Sequence, residues 1–176
     1  INRENLNEAF SWIDDEISEQ FDKNLYYRDW SNFYFFHEKL KKKEFLPENL
    51  EKIIKKYLMM VDGVKNVITK KEILSSNETD NISLRLKNMI HVKKSADVFV
   101  LLEPGYLYRN PHGTSHGSPY DYDAHVPLLF AKKERDRKVI YSHTETVDIA
   151  PTILNLLNIK LNNSFDGKAL PIRWTW

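Results

Sequence analysis

Five consecutive apolar residues, Val98-Phe99-Val100-Leu101-Leu102, closed by Glu103-Pro104-Gly105, constrain the fold of this chain more than any other feature. A strand buried on both faces reads as an unbroken apolar run, and the Pro-Gly pair ends it in a turn. The segments around it alternate between helical and extended patterning. That alternation favours an α/β or α+β lobe over a helical bundle or a sandwich.

Leu6, Ala9, Phe10, Ile13 and Ile17 recur at three- and four-residue spacing with acidic residues between them, predicting an amphipathic helix over residues 3–20. Residues 25–36 are aromatic-rich and split by Arg28-Asp29-Trp30-Ser31-Asn32, which predicts two short strands joined by a polar turn. Their aromatics are interleaved with one basic residue, Arg28, which stands beside the acid Asp29, so they read as sheet core rather than as a base-stacking platform. Pro47 opens a second helix with the stripe Leu50, Ile53, Ile54, Tyr57 and Leu58, stopped at Asp62-Gly63. Residues 64–68 read as a strand, and a polar stretch at 75–81 leads into a helix carrying Ile82, Leu84, Leu86, Met89 and Ile90. Beyond a loop at 105–125, residues 126–130 predict a further apolar strand, followed by a charged turn at 132–138. Residues 144–159 predict a closing helix with Val147, Ile149, Ile153, Leu154 and Leu157 as its core stripe, entered through Thr146 and Asp148 ahead of Pro151.

The 176 residues, 41% of them hydrophobic, suffice for one core. A formal net charge of +1 gives no electrostatic reason to bind nucleic acid or an anionic membrane. No apolar run approaches the ~20 residues needed to span a bilayer. The absence of cysteine rules out disulfides, thiolate nucleophiles and sulfur-ligated zinc, and leaves His, Asp and Glu as the strong metal ligands. The opening at Ile1, with no basic and apolar leader, reads as a chain cut from something longer.

Chemistry concentrates in one place. His112, His116, His125 and His143 fall within 32 residues that also hold Asp121 and Asp123, with Glu145 and Asp148 just beyond. A neutral imidazole is the commonest metal ligand, and the small residues Gly113, Gly117 and Ser118 leave room around His116 for a close approach. From the residues alone, His116 is either a ligand or a hydrogen-bonded loop histidine. Asp121 and His125 have the four-residue spacing of paired ligands on a helical turn, but Pro119 and Pro127 argue against helix there.

Gly113-Thr114-Ser115-His116-Gly117-Ser118-Pro119-Tyr120, followed by His125-Val126-Pro127-Leu128-Leu129-Phe130, resembles the zinc-ligand loop of the alkaline phosphatase superfamily, in the branch of the bacterial single-chain enzymes. Thr146-Val147-Asp148-Ile149-Ala150-Pro151-Thr152-Ile153 resembles the helix after that loop, Phe165-Asp166-Gly167-Lys168-Ala169-Leu170 its closing turn, and Val100-Leu101-Leu102-Glu103-Pro104-Gly105 the strand before it. The likeness covers about residues 97–171.

The resemblance implies the C-terminal part of a three-layer α/β/α enzyme. Residues 1–96 would form a peripheral α/β subdomain and residues 97–176 part of the core, with strands at 97–103 and 126–130 in a large central sheet. His116 would complete one site of a zinc pair, Gly117 would let the loop turn, His125 would hold the loop or orient a ligand, and Tyr120 would pack the loop or line the phosphate pocket. The parent enzyme would hydrolyse a small phosphate monoester through a phosphoenzyme, outside the cytoplasm, in the periplasm or secreted. Its nucleophile and remaining ligands would lie upstream. The segment would therefore contain no catalytic residue, fail to retain zinc, be inert alone, and have the missing N-terminal part as its partner. Two alternatives stay open: a phosphodiesterase or nucleotide pyrophosphatase of the same superfamily, and a non-catalytic binding or structural domain.

Overall fold

In a computed structural model describing residues 1–108, 116–131, 133, 139–160 and 164–172, helix α1 (Arg3–Gln20) opens the chain. The Asn2 side chain caps it by accepting the Glu4 N–H at 2.9 Å, satisfying one of the unpaired donors of its first turn. It buries the predicted stripe of Leu6, Ala9, Phe10, Ile13 and Ile17. Helix α3 (Pro47–Leu58) packs against it through Leu50, Ile53, Ile54 and Leu58. At the rim of that contact, Glu16 accepts hydrogen bonds from Lys56 at 2.7 Å and the Tyr57 hydroxyl at 2.5 Å.

Strands β1 (Tyr26–Asp29) and β2 (Asn32–Phe35) form the expected hairpin, with helix α2 (His37–Lys42) directly after it. The aromatic run is not all core. Period-two alternation sends Phe33 and Phe35 inward, whereas Tyr27 is half exposed and stacks on Tyr34 with ring centroids 4.7 Å apart.

Strand β3 (Val64–Thr69) leads into helix α4 (Lys70–Ser75), which the sequence reading does not anticipate. Its start is a capping box: Thr69 Oγ1 accepts the Glu72 N–H and Glu72 accepts the Thr69 N–H. Helix α5 (Asn81–Met89), capped by Asp80, buries none of its residues completely, so its expected stripe is a partly covered surface. Strand β4 (Val98–Leu102) completes a four-stranded antiparallel sheet of order β1-β2-β4-β3, with Phe33 beside Val98 and Val67 beside Val100. Helices on an antiparallel sheet make this unit α+β.

Val98–Leu102 pairs on both sides with strands from the first 69 residues. One expectation needs correction. Residues 126–130 form no strand. Val126 and Leu129 are exposed, Pro127 lacks the N–H that a ladder needs, and an apolar run becomes a strand only where a partner completes its backbone bonding.

At the start of β4, Asp97 is a buried hub. Its carboxylate accepts the Phe35 N–H at 2.8 Å, pairs with Lys70 Nζ at 2.9 Å and lies 3.0 Å from His37 Nε2. Three elements are thereby tied to one side chain.

The chain divides into two compact units, residues 1–127 and 128–176. In the second, a 3-10 turn (Thr146–Asp148) runs into helix α7 (Ile149–Leu156). Asp148 accepts the N–H groups of Glu145 at 3.0 Å and Lys168 at 2.8 Å, and the buried Thr152 hydroxyl donates to the Asp148 carbonyl at 2.5 Å while accepting the Leu170 N–H at 2.9 Å. These bonds seat residues 165–170 on one side of α7. Consequently the buried face is Pro151, Thr152 and Leu156, while Val147, Ile153 and Leu157 of the predicted stripe are exposed.

Candidate functional site

His112, Gly113, Thr114 and Ser115 lie outside the described residues. His116 is exposed, and among the described residues no hydrogen bond engages its ring. Gly117 after it has φ +104°, a conformation that side-chain-bearing residues rarely adopt. A Cβ there would meet nothing within 4 Å, so glycine serves the backbone turn and not a close approach.

The loop is braced from the C-terminal end of β4 outward. Tyr120 is buried, and its hydroxyl donates to the Leu102 carbonyl at 2.6 Å. Burial pushes its phenol up from the ordinary value. Arg85 on α5 donates to the Pro119 carbonyl at 2.7 Å and pairs with Asp121 at 2.8 Å. The Tyr122 hydroxyl accepts the Gly105 N–H at 3.1 Å, and its ring stacks on that of Tyr120.

Between these anchors the chain makes one helical turn, α6 (Asp121–Ala124), contrary to the reading that Pro119 and Pro127 forbid it. Proline is tolerated ahead of a helix, because the donors it would remove are unpaired there anyway. The His125 N–H donates to the Asp121 carbonyl at 2.9 Å, while the Asp121 carboxylate turns to Arg85. Asp121 and His125 thus share a turn but no ligand pairing. His125 is exposed, and His143 lies 3.5 Å from Glu145 in the other unit.

Asp123 closes the loop on itself. Its Oδ2 accepts the Ser118 N–H at 2.6 Å, and that bond, with the Gly117 N–H and the nearby His116 ring acting in the same direction, holds its carboxyl below the usual range. The Ser118 hydroxyl is buried and finds no hydrogen-bond partner among the described residues. Sequence reasoning names Asp123 only as one of the acids near the histidines and does not name Arg85. Asp123 lies inside the motif, five residues after Ser118, whereas Arg85 is 34 residues from Pro119 and leaves no local signal.

Among the described residues no three His, Asp or Glu side chains converge on a point that could hold a metal ion. Among the described residues the loop therefore presents exposed imidazoles, His116 and His125, without a complete set of metal ligands. No helix among the described residues is long and apolar enough to cross a membrane.

The chain is 34% identical over 114 residues to a calcium-transporting ATPase of Myroides odoratus, covering 64% of this chain and 21% of that protein. It is 30% identical over 118 residues to alkaline phosphatase PhoV of Synechococcus elongatus, 65% of this chain and 21% of the relative. To alkaline phosphatase PafA of Elizabethkingia meningoseptica it is 33% identical over 112 residues, 61% and 20% of the two chains. The crystal structure of wild-type PafA has the same fold, with a TM-score of 0.77 over 93% of this chain and 32% of that one at 24% identity. No protein-family model matches. The chain spans about a fifth of the length of the curated relatives it matches.

Proposed function

The chain belongs to the alkaline phosphatase superfamily as a partial segment of it, and from that premise we propose that it is the C-terminal part of a metal-dependent phosphomonoesterase, to which it contributes the His116 imidazole as a ligand. The observation that carries this reading is the His116 loop. An exposed imidazole, with no hydrogen bond to its ring among the described residues, sits beside a glycine-bent turn on a loop that Tyr120 braces to a sheet end. A catalytic zinc takes three protein ligands, so the other donors come from outside these residues. Zinc, when bound, supplies Lewis-acid stabilisation of charge on the phosphoryl oxygens.

This chain's own residues do something narrower. Tyr120 and Arg85 hold the loop to β4 and α5, and Gly117 supplies the turn. The segment alone is inert on this reading, since the nucleophile and the remaining ligands that the resemblance implies lie upstream of it. The parent protein acts on a small phosphorylated substrate in the periplasm or outside the cell, as the resemblance implies.

The test uses the full-length protein. Metal content and para-nitrophenyl phosphate turnover are measured beside His116→Ala. Two zincs in the parent, with loss of one and of most turnover in the variant, support the reading. A parent without metal, or a variant unchanged in metal and rate, overturns it.

A second reading, cleavage of diesters or anhydrides, has one observation in its favour: the Myroides relative is named as an ATPase. Comparing para-nitrophenyl phosphate, bis-para-nitrophenyl phosphate and ATP as substrates separates the two.

A further inference from the structure

We propose that Asp123 is the positioning residue of the His116 loop, its carboxylate fixing the backbone that presents the imidazole; this rests on the reading of His116 as a metal ligand. Four consecutive residues each carry a distinct restraint. Tyr120 is bonded to the end of β4, Asp121 to Arg85 of α5, and Tyr122 to the turn after β4. Those three hold α6 to the rest of the unit. Asp123 reaches from that turn back to the Ser118 N–H at 2.6 Å.

A short bond from a carboxylate to a backbone N–H is charge-assisted and directional. It sits where direction matters most. Gly117 at φ +104° has more conformations open to it than any other residue type, so the segment between His116 and Ser118 is intrinsically loose. Anchoring Ser118 removes that freedom on one side of the histidine. Among the described residues no hydrogen bond holds the His116 ring, so what the loop fixes is the backbone from which the ring extends. Outer partners that orient a metal ligand commonly govern affinity by about 10- to 100-fold.

The experiment uses the full-length protein with Asp123→Ala, Asp123→Asn and His116→Ala. Zinc affinity is measured by chelator competition, and exchange of the Ser118 amide by hydrogen exchange. Expected for Asp123→Ala are zinc binding weaker by about 10- to 100-fold and faster Ser118 exchange. Asparagine keeps an acceptor oxygen in the same place, so Asp123→Asn recovers most of both. Zinc affinity unchanged in Asp123→Ala, with zinc lost in His116→Ala, overturns this proposal alone. A fall in melting temperature with unaltered zinc affinity also overturns it. Zinc unchanged in His116→Ala overturns the ligand reading and this proposal with it.

Discussion

The hydroxyl of Tyr120 donates a 2.6 Å hydrogen bond to the carbonyl of Leu102, the last residue of β4, with both residues buried. The strand that most constrains the fold thereby also carries the loop that holds the candidate ligand. Leu102 has reached the end of its ladder, and its carbonyl takes a side chain as partner instead of water. Tyr120→Phe removes the donor and leaves that carbonyl buried and unpaired. The expected loss is about 1–2 kcal/mol of unfolding free energy, read from denaturant titration, with secondary structure unchanged.

Asp97 contributes to the acid sensitivity of the first unit. Burial raises its pKa, but the bonds from Lys70, the Phe35 N–H and His37 outweigh it and hold the carboxyl below its ordinary value. A carboxylate whose folded pKa lies below its unfolded one, about 3.9, contributes stability that is fully present above that pH. The contribution is lost as pH falls from about 4 through the folded value. Thermal unfolding from pH 7 to 2 should therefore show the loss only at the acid end. In Asp97→Asn, stability at pH 7 should fall by about 2 kcal/mol and that part of the acid slope should disappear.

Gly117→Ala tests whether the loop needs the turn. No atom opposes a Cβ there, so the cost is backbone strain alone, about 1–3 kcal/mol if the conformation is kept. The loop relaxes instead if that cost exceeds what its anchors hold. Global stability should change by less than about 1 kcal/mol, while exchange of the Ser118 amide rises. Normal Ser118 exchange would mean that the turn tolerates alanine.

Neighbours on one hairpin should respond in opposite ways. Phe33 is fully buried and lies against Phe10 and Tyr26, so Phe33→Ala should cost about 3–5 kcal/mol through the cavity it leaves. Tyr27 is half exposed, and its loss removes mainly the stacking on Tyr34, so Tyr27→Ala should cost about 1 kcal/mol. Equal costs would refute the inward and outward assignment of the strand faces.

Much of this was legible in the chain. The stripe Leu6, Ala9, Phe10, Ile13 and Ile17 is buried as read, and Pro47 opens α3 as read. The alkaline phosphatase likeness read from the chain agrees with the named relatives. Less legible were features whose signal is shared between distant residues. The run at 126–130 has strand composition without a strand partner among the described residues. The stripe on α7 is apolar, yet the bonds from Lys168 and Leu170 cover its other side.

By itself the sequence determined the local elements, because helix and strand impose fixed periods of 3.6 and 2 on where apolar residues fall. It also determined the chemistry available to the loop, through one histidine between small residues and the absence of any thiol. Only the tertiary structure decided which strands flank β4, which face of α7 is covered, and that Asp97, Arg85 and Asp123 are the residues that tie elements together. Those outcomes depend on groups up to 62 residues apart meeting at hydrogen-bond distance, as Asp97 meets the Phe35 N–H. No periodicity along the chain encodes which buried polar groups will satisfy one another.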